Sequence, residues 1–252
     1  MNAFSVSCAS PYLVAEFATP QTMLSWSLTR PGFVTARRVA WLHVRNDDLP
    51  IGVDPVELLE TRMAAAGHAN AVHLMTSRDV RHHHLACASS GTVTADCLAT
   101  VGLGNAARVG AAPVAGTALG TVNLLVHVDR ALTPAALIEA ISIATEARTA
   151  AIIDLDLRID GRPVTGTGTD CIVVAAPCGG EAERFAGLHT DIGAAIGHAV
   201  YAAIREGGEA WIEEQPQLGT GRLARFEYPD HGGRTTLNGF SEERETETAA
   251  KA

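Results

Sequence analysis

The sequence contains a single lysine, Lys251, and very few aromatics, which make up 5% of its 252 residues. Any core built from it must therefore be aliphatic and rich in alanine. Basic residues are outnumbered, with Lys and Arg totalling 19 against 28 Asp and Glu, for a formal net charge of −9. A chain without a basic surplus lacks what non-specific DNA or RNA binding requires. Cysteine is sparse and unpaired. Cys8, Cys87, Cys97, Cys171 and Cys178 are odd in number and form no Cys-x-x-Cys. That argues against a disulfide framework or a structural zinc site and makes a reducing cytoplasm the expected setting. Long apolar runs are missing too: none approaches the ~18 residues of a membrane span. The N-terminus shows no basic segment leading into an apolar stretch, so no signal peptide is expected.

What is present reads as an α+β chain. Short β-rich runs punctuated by Pro11, Pro20 and Pro31 predict strands over 5–8, 12–17, 23–28 and 39–44. Asp54-Pro55-Val56-Glu57 opens a helix that should stop at Gly67. A short strand follows over 71–75. Two runs flanking Ser89-Ser90-Gly91 predict a hairpin within 83–101. A strong strand over 120–129 precedes a helix capped by Thr133, with Pro134 at its first position. Strands are predicted over 152–159 and 169–176. A second long helix over 187–206 should end at Gly207-Gly208. Irregular alternation with hairpins favours a mixed, mainly antiparallel sheet with packed helices. The domain is expected to span 1–212. Residues 213–252, polar and without periodicity, are read as a flexible tail.

The densest chemistry lies in Thr165-Gly166-Thr167-Gly168-Thr169-Asp170, a polar, glycine-punctuated run feeding an apolar strand. Glycines allow backbone to approach a ligand, and threonine hydroxyls and free N–H groups can face an amide or carboxylate. Asp170, beside a buried strand, suits acid–base work. In extended backbone, Asp170 would face away from Thr165, Thr167, Thr169 and Cys171. A tight turn using its own Thr and Asp side chains is the equal alternative. A second candidate is Gly187-Leu188-His189-Thr190-Asp191 at a helix start, where free N–H groups could hold an oxyanion and His189 could move a proton. Simple capping by Thr190 or Asp191 is the competing reading. Asn105 and Asn123, beside strands, offer side-chain amides to a substrate rich in amides. The adjacent His82, His83 and His84 cannot all reach one ion; His82 and His84 could on a strand, but no carboxylate or cysteine stands at motif spacing, so no metal site is expected.

Taken together, residues 165–170, 187–193, Gly102-Leu103-Gly104-Asn105, Gly120-Thr121-Val122-Asn123 and Ala144-Thr145-Glu146-Ala147-Arg148-Thr149 resemble the adenosylcobinamide amidohydrolases. The segment Leu24-Ser25-Trp26-Ser27-Leu28-Thr29-Arg30-Pro31-Gly32 departs from the family pattern, matching it only at Ser25 and Gly32. The resemblance implies hydrolysis of the amide joining an aminopropanol arm to the corrin ring, giving adenosylcobyric acid in corrinoid salvage. The corrinoid would be substrate and not cofactor, with a divalent metal left open. No nucleic-acid or membrane partner is expected, and a homo-oligomer is left open. The expected catalytic residues are Asp170, His189 and Thr167. Thr165, Gly166, Gly168, Thr169, Asn105, Asn123 and Thr190 are the expected substrate contacts. Two rival readings are a non-catalytic corrinoid-binding protein and an amidohydrolase for a different amide.

Overall fold

A computed structural model of the chain describes residues 3–50, 52–112 and 120–215. The first structural unit is a hairpin of β1 (Phe4–Ala9) and β2 (Tyr12–Ser25), turned at Pro11. β2 is one long strand where two were predicted. Pro20 does not end it but sits in a bulge, because between Glu16 and Gln21 four β2 residues face a single residue of β3 (Gly32–His43). Arg37 closes the bulge by donating to the carbonyls of Phe17 and Ala18. Helix α1 (Pro55–Ala65) begins as predicted, with the Asp54 carboxylate accepting from Val56 N. It leads into β4 (Val72–Thr76), and the predicted hairpin forms as β5 (His83–Ser90) and β6 (Val93–Val101).

After the short β7 (Ala106–Ala107) comes β8 (Val122–Val128), buried at every position. Helix α2 (Pro134–Asp154) then crosses over to β12 (Cys171–Pro177), which lies parallel to β8. Between α2 and β12 the chain forms three two-residue strands, β9 (Arg158–Ile159), β10 (Arg162–Pro163) and β11 (Gly166–Thr167). Of the strand predicted over 152–159, residues 152–154 end α2 and only Arg158–Ile159 is extended, as β9. Ile152 there is fully buried against the sheet, so tertiary packing overrides its β preference.

Helix α3 (Asp191–Glu213) outruns its predicted stop at Gly207-Gly208. These glycines pack where side chains cannot. A Cβ on Gly207 would lie 2.6 Å from Val101 Cγ2, and one on Gly208 2.2 Å from Leu155 Cδ1. They let the helix approach its neighbours and do not end it. Just past the helix, Glu214 accepts two hydrogen bonds from the buried Arg78, so ordered structure passes the predicted boundary at residue 212. Residues 216–252 of the predicted tail lie outside the described residues.

The sheet runs β4-β3-β2-β12-β8-β6-β5, with β1 also on β2. β3/β4 and β8/β12 are parallel and the other pairs in it antiparallel, so the α+β class and mixed, mainly antiparallel sheet are as predicted. Helices α2 and α3 cover one face, and small residues at Ala136, Ala140, Ala144, Ala195, Ala199 and Ala203 allow close packing. The opposite face curls around a second core of Phe17, Met23, Trp41, Leu74, Leu98, Leu125 and Val173. The curl is pinned by Asn123. Its Nδ2 donates to Met75 O at 2.7 Å, although β8 and β4 stand four strands apart, which on a flat sheet would be roughly 19 Å.

Candidate active site

The loop before β12 is a turn and not an extended strand. β11 pairs with β7, holding Gly166 opposite Ala107 and Thr167 opposite Ala106. The chain then turns through Gly168 and Thr169. This turn folds the Asp170 carboxylate back onto Thr167, which extended backbone would have kept apart. Thr167 donates to Asp170 Oδ1 through its hydroxyl, and its backbone N–H reaches both carboxylate oxygens at 3.2 Å. Val122 N donates to Oδ1 at 3.3 Å. Arg148, projecting from α2, forms an ion pair with Oδ2. Both partners are largely withdrawn from water, with the Asp170 side chain 8% and the Arg148 side chain 12% exposed. The carboxylate's acceptor capacity is engaged by these donors, whereas the buried Arg148 Nε has no protein partner.

Gly166 makes room for this pair, since a Cβ there would lie 2.2 Å from an Arg148 guanidinium nitrogen. Arg148 also donates to Thr165 O at 3.3 Å. The other threonines tie the loop to its neighbours. Thr165 Oγ1 accepts from Val109 N at 2.8 Å, and Thr169 Oγ1 meets Thr121 Oγ1 at 3.0 Å and Gly120 O at 3.1 Å. Asn105 faces Gly168, its Nδ2 3.5 Å from where a Cβ would be, and its buried Oδ1 has no protein partner. Thr165, Gly166, Thr167, Gly168, Thr169, Asp170 and Asn105 thus form one cluster at the start of β12.

The remaining predicted site residues lie elsewhere. Asn123 is buried on the other face of the sheet, where it pins β8 to β4. Cys171 pairs with it across the parallel strands on that same face. Burial pushes the Cys171 thiol up to about 12 and keeps it protonated. His189 and Thr190 lie at the far end of β12, whose seven residues separate them from Asp170 by roughly 20 Å. There the Thr190 hydroxyl accepts from Gly193 N at 3.0 Å, an ordinary helix cap, while His189 is exposed. Asp191 accepts from Ser90 at the tip of the β5–β6 hairpin. The α3 N-terminus therefore cannot hold an oxyanion formed beside Asp170, and His189 cannot share a proton with that site. Of the expected catalytic residues, the structure brings Asp170 and Thr167 together and places His189 at the other end of β12.

Two neighbours escaped the sequence reading. Arg148 is the one cation in α2, a helix that also carries Glu139, Glu146 and Asp154, and nothing local ties it to Asp170. Trp26 donates from Nε1 to Asp170 O at 2.8 Å, and nothing in its local sequence announces this. Among the described residues no three His, Cys, Asp or Glu gather to hold a metal. His82 pairs with Glu214 and His84 with Glu206, while His83 bonds to Val80 O. A cleft of about 580 Å³ opens beside β3, lined by Glu16, Arg30, Arg37, Arg38, His68 and Asn70 among others. It includes none of the predicted site residues. Its arginines are bonded to backbone carbonyls and to Glu16. No helix among the described residues is long and apolar enough to cross a membrane.

Residues 1–216 match the family model described as adenosylcobinamide amidohydrolase. The chain is 37% identical over 202 residues to an adenosylcobinamide amidohydrolase of Halobacterium salinarum, covering 76% of this chain and 82% of that one. It is 38% identical over 91 residues, 35% of each chain, to the uncharacterized protein MJ1613 of Methanocaldococcus jannaschii. Among solved structures, the PH0078 protein of Pyrococcus horikoshii OT3 aligns with a TM-score of 0.42 at 12% identity, over 84% of this chain and 86% of that one. A β-aminopeptidase of Burkholderia aligns with a TM-score of 0.41 at 12% identity, over 83% and 82%.

Proposed function

The chain belongs to the adenosylcobinamide amidohydrolase family and is a hydrolase of amide C–N bonds, and we propose that it cleaves the aminopropanol arm from adenosylcobinamide to give adenosylcobyric acid. The corrinoid is then substrate and not cofactor, and the reaction belongs to corrinoid salvage in the cytoplasm. One observation carries the choice of site: the Thr167 hydroxyl donates to a buried carboxylate that Arg148 orients from behind. A hydroxyl on a base that a third group orients is the general arrangement of an activated nucleophile.

In this mechanism the Thr167 oxygen attacks the amide carbon while Asp170 takes its proton. The oxyanion accepts from the Asn105 side-chain amide, which stands over Gly168. Asp170 returns the proton to the leaving nitrogen as the C–N bond breaks, releasing aminopropanol and leaving an ester on Thr167. Water then hydrolyses the ester, with Asp170 again as base, and adenosylcobyric acid departs. Arg148 never exchanges a proton; it orients the carboxylate.

The test is mass spectrometry of purified protein incubated in the dark with adenosylcobinamide. Wild type should yield adenosylcobyric acid, Thr167→Ser should retain turnover, and Thr167→Ala should lose about 10³-fold or more. Full activity in Thr167→Ala would move the attack to water activated by Asp170. An unaltered corrinoid recovered bound to wild type would replace the enzyme reading with that of a corrinoid-binding protein.

A further inference from the structure

We infer that Trp26 is the platform on which the flat adenine of the substrate's adenosyl group stacks, an inference that rests on the proposed corrinoid substrate. Of the three tryptophans, Trp41 is fully buried and Trp211 is 9% exposed, yet Trp26 is 45% exposed. An indole left in water forgoes the burial free energy its area would supply. Its position is nevertheless fixed, because Nε1 donates to the carbonyl of Asp170 at 2.8 Å. One edge is thus tied to the residue at the centre of the candidate site, while ring surface stays open to solvent.

The surroundings extend this apolar surface. Leu28 follows two residues later at 53% exposure. Phe33, 50% exposed, pairs with Leu24, two residues before Trp26. Exposed apolar residues singly are ordinary, but a fixed aromatic beside a site, with two more exposed large apolar residues close in chain and register, suits a ligand with a flat apolar face. The substrate offers one group of that shape. The corrin macrocycle is partly saturated and carries methyl and amide arms above and below its plane, so it cannot lie flat on an indole. Adenine is flat on both sides and about the size of an indole, and aromatic stacking of this kind is sequence-tolerant and strong. Adenine on Trp26 would place the corrin, and with it the amide arm, next to Asp170 and Thr167.

Equilibrium dialysis in the dark tests this, in a Thr167→Ala background so that adenosylcobinamide is not consumed, using adenosylcobinamide and cyanocobinamide with Trp26 as in wild type and with Trp26→Phe, Trp26→Leu and Trp26→Ala. Trp26→Ala should weaken adenosylcobinamide binding about tenfold and leave cyanocobinamide within about twofold. Trp26→Phe, which keeps a ring but loses the hydrogen bond to Asp170, should stay close to the Trp26 parent in binding. Trp26→Leu keeps apolar bulk without a flat face and should show the same selective loss as Trp26→Ala, which guards against a folding defect in the smaller variant. Unchanged binding in Trp26→Ala and Trp26→Leu, or equal weakening of both corrinoids, would overturn the platform while leaving the substrate assignment intact. Failure of the Trp26 parent to bind either corrinoid would overturn both.

Discussion

The two ends of β12 carry segments that look alike in sequence and differ in what the fold does with them. Residues 165–170 and 187–191 both combine glycine and threonine with a closing aspartate. At the first end the aspartate is buried, bonded to a hydroxyl and two backbone N–H groups, and paired with a guanidinium from α2. At the second, Thr190 caps a helix, Asp191 bonds to Ser90, and His189 faces water. Chemistry-bearing residue types are necessary for a site but not sufficient. What separates the two ends is enclosure, together with a partner delivered from a distant part of the chain.

The largest break in that comparison should come from Arg148→Ala. It leaves the Asp170 carboxylate buried without its counter-charge, and urea unfolding should show a loss of about 3 kcal/mol or more. A loss near zero would mean that the pair is solvated and the two ends are not so different. A second effect sharpens the picture of the far end, where His127, unlike His189, is buried, facing the buried Asp96 across β6 and β8. Burial pulls the His127 imidazole from 6.5 down to about 4, with Asp96 and Asp129 opposing the shift. Its Nε2 meets Gln21 Oε1 at 3.2 Å. Between those two pH values the unfolded chain binds a proton that the folded one refuses. This contribution to stability is therefore complete above about pH 6.5 and is lost as pH falls towards 4, about 3 kcal/mol in all. His127→Gln should flatten that part of the stability–pH curve, and an unchanged slope would assign it to other groups. The smallest effect is Thr190→Ala, which removes a cap and should cost about 1 kcal/mol in unfolding without changing turnover. A loss of turnover larger than the loss of stability would return the far end to the site.

Much of this architecture was legible in the sequence because it rests on local rules. Asp54 and Thr133, each followed by a proline, marked two helix starts, and Ser89-Ser90-Gly91 marked the hairpin. The misreadings occurred where distant packing decides. Pro20 reads as a strand breaker, but a bulge absorbs it. Gly207-Gly208 reads as a helix stop, but Val101 and Leu155 need the space their missing side chains leave. Ile152 reads as strand, but it is the buried end of α2. The site was half legible for the same reason. The loop at 165–170 stood out by composition, and Asp170 with Thr167 lie within it. Whether the loop is extended or turned depends on β7, 60 residues earlier, and Arg148 and Trp26 reach it from elements that no local pattern connects to it. Asn123 stood out equally and serves the curl of the sheet.

The most direct test compares Asp170→Asn with His189→Ala, measuring adenosylcobyric acid formed from adenosylcobinamide by mass spectrometry. If the chemistry belongs to the start of β12, Asp170→Asn should lose at least about 100-fold, while His189→Ala stays within about twofold of wild type. An active Asp170→Asn beside an inactive His189→Ala would contradict the account and move the site to the N-terminus of α3.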